Sequence, residues 1–488
     1  MKVRFLFLPD HKHRDLPSMA LIGYFLRQLG HSVKFSALWA EDQVINNFDP
    51  NYIIMNKFNY PPKKLLKWTK AGRKRIIIMS EGNTQGVEDN KISNRDIKSL
   101  KDSSPHLFFF WNEKRMKVIS PYTDNYCVNK VVGCQRLDFH HSLFRNIFEK
   151  RNNILINYGL SPQNKTITIA TSIGLSHQTD EFKKMAEDGY GDDSSKIENF
   201  RTNVKNQKLL RPITEEIIFY ISKKFQNINL IVKPHPNESI IHWRNFVKSL
   251  NDDNVFLCVG ENINNVLKVS DFHIAHNVCN TIIESQLLGI PTVQIITDIS
   301  REFYEKDHID IAENNVTNIN EFIKIIENSN ISKKENNSTN YTISKDMIFY
   351  VKKYYHRFDG LRCYKYAKEI SQFVTNTQNN DLFIDNMKYF YSQISYRVLY
   401  NISHFNKKYI GRMKVDNIKK IPQKLKELAK NIDKKESKLD HRGRYDNRMK
   451  LGDELYWFEK FDKAQFDVND FEKIYNKLYF ESDDINHC

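Results

Sequence analysis

The chain is poor in the residues that make unusual architectures. Its 488 residues include only 16 Gly and 13 Pro, which excludes a collagenous or proline-rich chain. Six cysteines (Cys127, Cys134, Cys258, Cys279, Cys363, Cys488) are scattered without a CxxC pair, so neither a disulfide framework nor a zinc site follows from them. No uncharged apolar run reaches the length that spans a bilayer, and mean hydropathy is −0.59. The first apolar run, in MKVRFLFLPDHKHRD, meets Pro9 and Asp10 at once and has no small-residue cleavage site. It reads as a strand, not a signal peptide, so a cytoplasmic location is expected. There is no Asp-x-Asp pair of the kind that carries a divalent cation with a nucleotide diphosphate, and no HExxH. No metal and no other cofactor is expected.

What is present is enough to build large cores. Hydrophobic residues make up 40% and aromatics 12%, with 32 Phe and 24 Tyr, which excludes wholesale disorder. The length predicts two domains and an appendage. Formal charge is +15, but it is uneven. Residues 407–450 hold 16 Lys/Arg against 6 Asp/Glu (+10), whereas 451–488 hold 4 against 10 (−6). A basic segment followed by an acidic tail is an appended electrostatic device rather than a property of the whole surface.

Up to about residue 150, short apolar runs alternate with helix-length stretches. Strands are predicted at Val3–Leu8, Val33–Ala37, Tyr52–Met55, Arg75–Met79, Leu107–Trp111 and Asn129–Val132, and helices at Ser18–Leu29, Pro62–Ala71 and Glu113–Ile119. Continuous runs such as Arg75-Ile-Ile-Ile-Met79 suit strands covered on both faces, and the βαβα order predicts a parallel doubly wound sheet. After a polar linker (150–165) the pattern restarts. Strands are predicted at Thr166–Thr171, Asn229–Lys233, Val255–Cys258, Phe272–His276 and Thr292–Ile296. Helices fall at Val204–Phe225 (one long helix, with Pro212 the point at which a division is the alternative), Ile240–Leu250, Ile263–Val269 and Asn280–Leu288. The expected fold class is therefore α/β, two Rossmann-like doubly wound domains (1–150 and 166–330) facing a cleft. A helical return segment over 346–376 follows, then a mostly helical extension over 377–488. In that extension Ile421, Leu425, Leu428 and Ile432 mark a basic amphipathic helix.

Two constellations could carry chemistry. Lys233-Pro234-His235-Pro236 directly follows an apolar strand, and open α/β sheets bind ligands beyond the carboxyl ends of their strands. The prolines restrict the backbone around His235, and a fixed imidazole beside an ammonium suits a phosphate. The plainer reading is a polar strand end, with His235 capping a neighbouring backbone group. The second is the turn between a strand and a helix at Asn277, Cys279, Asn280 and Thr281. Unpaired N–H groups and the helix dipole there favour an anion, and Glu284 one turn on could accept from a ribose hydroxyl. Ordinary N-capping by Asn280 is the alternative. His273 and His276 read as core and cleft residues.

These residues carry a resemblance. KPHP followed by SDFHIAHNVCNTIIESQLLGIPTVQI resembles the C-terminal half of GT-B glycosyltransferases that build bacterial surface and capsular polysaccharides. The relatives are the surface carbohydrate biosynthesis proteins, the capsular Kdo transferases, the polysialyltransferases and, more remotely, the CDP-glycerol polymerases of teichoic acid synthesis. The resemblance implies that His235 and Pro236, with the turn at Cys279, Asn280 and Thr281, bind the donor nucleotide's phosphate. The usual hydroxyl pair is Cys-Asn here, so only Thr281 keeps a hydroxyl. In the first half, LFLPDHKHRDLPSMALIGYFLRQLGHSV and VVGCQRLDFH (Gly133, Arg136, Asp138) resemble the surface carbohydrate proteins.

Ser80-Glu81-Gly82-Asn83 resembles the acidic-Gly motif that supplies the general base in CMP-sugar transferases. Glu81 would deprotonate the acceptor hydroxyl, and Gly82 would let a sugar approach the backbone. An ordinary turn is the alternative, and an enzyme that retains configuration needs no such base. His11, His13 and Arg14, with Arg136, are acceptor-side candidates, the alternative for the loop being mere solvation.

The expected activity is metal-independent transfer of a sugar from a nucleotide-sugar donor to a polysaccharide or lipid-linked glycan. On the resemblance, the donor is a CMP-linked acidic sugar such as Kdo or a sialic acid. Residues 407–450 would meet an anionic inner-membrane surface, or else pack with their lysines solvated. The basic run lacks interleaved aromatics, so nucleic acid is not expected. A CDP-glycerol- or CDP-ribitol-type polyol-phosphate transferase and a non-enzymatic nucleotide- or nucleic-acid-binding protein are the alternatives.

Overall fold

A computed structural model describes residues 2–38, 40–79, 92, 94–177, 180–188, 194–236, 238–329, 343–381 and 453–478. Glu81 and Gly82, and the basic stretch 407–450, lie outside the described residues.

Twelve described strands form two sheets, all pairs parallel. The first holds β1 (Arg4–Leu8), β2 (Ser32–Phe35), β3 (Tyr52–Met55), β4 (Lys74–Ile78), β5 (Leu107–Phe110) and β6 (Val128–Val131), in the order β2-β1-β3-β4-β5-β6. The second holds β7 (Lys165–Ala170), β8 (Ile228–Lys233), β9 (Val255–Leu257), β10 (Phe272–His276), β11 (Thr292–Ile295) and β12 (Asn314–Val316), in the order β12-β11-β10-β7-β8-β9. The continuous apolar runs follow from burial on both faces. Phe5, Phe7, Ile54, Ile76, Ile78 and Phe109 point into one core, while Leu6, Leu8, Ile53, Ile77, Phe108 and Phe110 point into the other. Each sheet reverses its winding once, between β1 and β3 and between β7 and β10. Ligands of such sheets bind at those switch points.

The crossover helices of the first sheet are α1 (Leu16–Gln28), α2 (Glu41–Phe48), α3 (Pro62–Lys70), α4 (Asn94–Ser103) and α5 (Glu113–Ile119). α2 and α4 escape the sequence pattern because each buries so little apolar surface, Ile45 in one and Leu100 in the other. The stretch expected as a linker contains α6 (Arg151–Asn157). In the second domain come α7 (Asp180–Asp188), α8 (Ser194–Lys224), α9 (Ile240–Leu250), α10 (Ile263–Val269), α11 (Asn280–Leu287), α12 (Asp298–Phe303), α13 (Lys306–Asp310) and α14 (Ile319–Asn328). α8 is one long helix, as expected over Val204–Phe225, and it runs on through Pro212 without dividing. Its buried stripe of Leu210, Ile217, Ile218 and Ile221 holds it against the sheet and outweighs the one lost backbone bond.

The return segment is two helices, α15 (Lys345–Tyr354) and α16 (Arg362–Asp381), with His356 and Gly360 at positive φ in the bend between them. A Cβ on Gly360 would lie 2.6 Å from the His141 ring, so only glycine lets the chain cross there. α16, α17 (Asp453–Lys463) and α18 (Val468–Asn476) all pack against the first domain. Tyr364, Trp457, Phe458, Phe461 and Phe471 share one core with Phe25 and Phe35 of that domain. Phe25 meets Phe471 at 4.8 Å and Tyr364 at 5.8 Å between ring centroids. Two Rossmann-like domains facing a cleft, with helices added C-terminally, is the GT-B-like organisation.

Candidate functional site

The Lys-Pro-His-Pro segment leaves the carboxyl end of β8 beside the winding reversal. Glu238 fixes its course. This carboxylate is fully buried and accepts from Thr171 Oγ1 (2.6 Å), Ile173 N (2.8 Å) and Trp243 Nε1 (2.6 Å). The Glu238 amide donates to the His235 carbonyl at 2.9 Å, closing the turn. Burial pushes the Glu238 carboxyl up, against those donors. Lys233 Nζ donates to the Glu261 carbonyl at 2.7 Å, so its charge is held in place, and His235 stands half-buried beside it.

The turn after β10 is built differently. Asn277 and Val278 both have positive φ, strained for a β-branched residue. Their amides donate to Ile295 O (3.2 Å) and Gln294 Oε1 (2.8 Å), and that of Cys279 to His276 O (3.0 Å). Asn277 Oδ1 accepts from Ser300 Oγ at 2.7 Å, and Asn280 Oδ1 accepts from Tyr355 at 2.6 Å. Thr281 Oγ1 lies 3.0 Å from His273 Nε2 and donates to Cys279 Sγ at 3.3 Å. Most side-chain groups that the sequence offers as phosphate ligands here are already engaged with other residues of the fold. The first turn of α11 opens here, at Asn280 and Thr281. That turn and Lys233-Pro-His235-Pro follow strands β10 and β8, which flank β7, so they start about 10 Å apart.

His273 and His276 hold this floor together. His276 Nδ1 accepts from Ser172 N (3.2 Å) and its Nε2 meets Thr214 Oγ1 (2.5 Å), while His273 Nδ1 meets Thr168 Oγ1 (2.8 Å). Burial pushes them down to about 3 (His273) and about 4 (His276), so both are neutral.

The loop after β1 faces this end of the second domain. Asn262 Nδ2 of the second domain donates to the His13 carbonyl at 3.0 Å. Asp15, only 2% exposed, takes the Arg14 guanidinium on both oxygens (2.8 and 3.1 Å), with His11 N (3.1 Å) and Asn56 Nδ2 (2.5 Å) on Oδ2. His11 is pushed down to about 2, first by burial and then by Arg14, His13, His235 and Lys233. His13 is pushed down to about 3 by burial and Lys233. Imidazoles of the first domain thus feel the Lys233 charge of the second. The structure brings His11, His13, Arg14, Lys233 and His235 together across the cleft.

Arg136 enters from the first domain on the 3-10 segment Gln135–His140. It lies 5.1 Å over the Trp111 ring, and its Nε is buried without a hydrogen-bond partner among the described residues. Glu284, 5% exposed on α11, lies 4.0 Å from His140 Nε2. Burial pushes Glu284 up against the pull of Arg136, and burial plus Arg136 pushes His140 down to about 3. The other motif residues near Arg136 are structural. Gly133, at φ +103, lets Tyr355 O pass where a Cβ would sit at 2.8 Å, and Asp138 accepts from Arg362 N (3.0 Å) and Cys363 N (2.7 Å) at the start of α16.

Sequence reasoning missed Asp15 and Glu238. Each is an acid next to a chosen residue (Arg14) or two beyond a chosen segment (Lys233–Pro236), which was the available signal. The carbonyl of Met79, the last described residue before Glu81, accepts from Trp111 Nε1 (3.0 Å) and Gln135 Nε2 (3.1 Å). Among the described residues no group of three or more His, Cys, Asp or Glu could hold a metal ion.

No family model and no curated protein matches the chain. Among solved structures it is similar to the S. aureus MnaA–UDP complex (12% identity, TM-score 0.46), with 77% of this chain and 97% of that one covered. A UDP-GlcNAc 2-epimerase from Methanocaldococcus jannaschii in complex with UDP-GlcNAc and UDP is similar at 13% identity and TM-score 0.43, covering 77% and 100%. The wall teichoic acid polymerase TagF soaked with CDPG is similar at 11% identity and TM-score 0.48, covering 77% and 89%. These scores are too low to transfer chemistry. The functional reading rests on the site itself.

Proposed function

We propose that the chain is a GT-B-type glycosyltransferase that moves a sugar from a nucleotide-activated donor to a polysaccharide or lipid-linked glycan. The observation that carries this reading is the meeting of Arg14 and the neutral imidazoles of His11 and His13 with Lys233 and His235 across the cleft, where Asn262 of the second domain also donates to the His13 carbonyl. Such a site suits the departing phosphate of an activated donor, whose charge grows as the glycosidic bond breaks. His235 and Lys233 hold that phosphate, with the backbone of the first turn of α11 on its other side. Arg136 and Glu284 lie beside it for the sugar or ribose. Closure of the domains excludes water. Glu81, two residues past the described end of the β4 segment, is assigned the acceptor's proton if the reaction inverts configuration.

A CMP-linked acidic sugar such as Kdo or a sialic acid is the favoured donor, on the resemblance alone. No helix among the described residues is long and apolar enough to cross a membrane. The +10 stretch over 407–450 is assigned to an anionic membrane surface, where a lipid-linked acceptor would reside. A thermal-shift screen against CMP, CDP, UDP and GDP tests the reading, because a ligand that binds only the folded state raises the melting temperature. One nucleotide should raise it by several degrees. No shift with any of the four contradicts a nucleotide-dependent transferase.

A further inference from the structure

We infer that His11 is a hydrogen-bond donor of fixed tautomer, Nε2–H, which holds an anionic oxygen of the ligand from the first domain while Lys233 and His235 hold it from the second, and that His11 is not the base of the reaction. This deepens the transferase reading and rests on it for the identity of the anion.

The tautomer follows from the loop's own backbone. His11 Nδ1 accepts the amide of His13 at 3.2 Å and that of Arg14 at 3.0 Å, so its lone pair is occupied by two donors. A neutral ring in that position must carry its proton on Nε2. Nε2 lies on the far edge of the ring from the turn. It is buried and has no hydrogen-bond partner among the described residues. A buried donor left unpaired costs about 1–3 kcal/mol, which a ligand oxygen would relieve.

The charges felt at this ring from the second domain are those of His235 and Lys233. Burial, with Arg14 and Lys233 nearby, disfavours the imidazolium, so the ring stays neutral and keeps its outer N–H. The same features remove basicity: one nitrogen is protonated, and the other is turned inward onto the backbone. The mount is rigid because Asp15 binds both the His11 amide (3.1 Å) and the Arg14 guanidinium (2.8 Å).

The test uses the full chain. ¹⁵N spectra of the wild-type imidazoles should show His11 bare at Nδ1 and protonated at Nε2. The opposite tautomer, or an imidazolium, overturns the inference without needing any variant. His11→Asn keeps an acceptor for the turn amides and removes the outer donor. It should fold normally and bind CDP and inorganic pyrophosphate about ten- to a hundredfold more weakly. His11→Gln, which returns an amide N–H near the place of Nε2 but offers no base, should recover most of that binding and most of the turnover. Wild-type affinity in the Asn variant, or a Gln variant as inactive as the Asn one, overturns it. His235→Ala separates the two ideas. Binding lost there but kept in His11→Asn removes the inference alone, whereas no binding by the wild-type chain removes the transferase reading with it.

Discussion

The loops after β1 and after β10 both stand at carboxyl ends of central strands, and both are rich in polar side chains. They differ in what folding leaves over. After β10, Asn277 Oδ1, Asn280, Thr281, His273 and Gln294 bond to neighbouring side chains or backbone and even the strained Val278 amide has a partner, so that only the Nδ2 of Asn277 is left buried without one among the described residues of this loop. After β1, one edge of His11 is consumed by the turn and the other is left buried and unmatched. The lesson is that polarity alone does not locate a ligand. A buried polar atom left without a partner is the better guide.

The largest expected effect tests the cleft itself. His235→Ala should abolish transfer, by roughly a hundredfold or more, while the circular dichroism spectrum stays that of the wild type. Wild-type turnover in that variant removes His235 from the site. Next comes the turn that presents it. Glu238→Ala strands three donors, from Thr171, Ile173 and Trp243, and should cost about 3 kcal/mol or more in chemical denaturation. A cost below about 1 kcal/mol would mean that the turn is held by something else.

The pH dependence is weaker and has a definite sign. His11, His13, His31, His106, His140, His273, His276 and His356 are all pushed below the ordinary 6.5, chiefly by burial. The unfolded chain gains protons below pH 6.5 that the folded chain does not. The stability these groups contribute is complete above 6.5 and is lost progressively as pH falls through their folded values, about 4 for His106, His276 and His356 and about 2 to 3 for His11, His13, His140 and His273. Asp138, pushed up to about 7 by burial, works the other way, as do Glu238 and Glu284. The histidines outnumber them, so the melting temperature should fall between pH 7 and pH 5. A rise would reverse the assignment.

The smallest effect sharpens the contrast between the two loops. Thr281→Val removes a hydroxyl tied to His273 and Cys279, so it should lower stability by about 1 kcal/mol and leave turnover within about threefold. A hundredfold loss of turnover would make the hydroxyl a ligand group after all.

Much of the fold was legible because burial on both faces writes continuous apolar runs into β3, β4 and β5. Tyr52–Met55, Ile240–Leu250, Ile263–Val269 and Phe272–His276 coincide with the expected bounds. α2, α4 and the short edge strand β12 were not legible, since each buries too few apolar side chains to show a period. The break between α15 and α16 was hidden for another reason. It is set by the contact of Gly360 with His141, some two hundred residues away in the chain.

The site divides in the same way. The types and spacing around Lys233–Pro236 announced a strand-end constellation. That Arg14 and His11 share Asp15, or that His235 rests on Glu238, is written only in three dimensions. Val278, Asn277 and Asn280 looked available in sequence because their partners, Gln294, Ser300 and Tyr355, come later in the chain.

The central claim is that the loop after β1 and the end of β8 form one ligand site across the cleft. It is tested most directly by titrating the wild-type chain with the nucleotide chosen by thermal shift while following the imidazole signals of His11 and His235. Both should move together along one binding curve with one dissociation constant. Movement of His235 alone, with His11 unchanged at saturation, would contradict it.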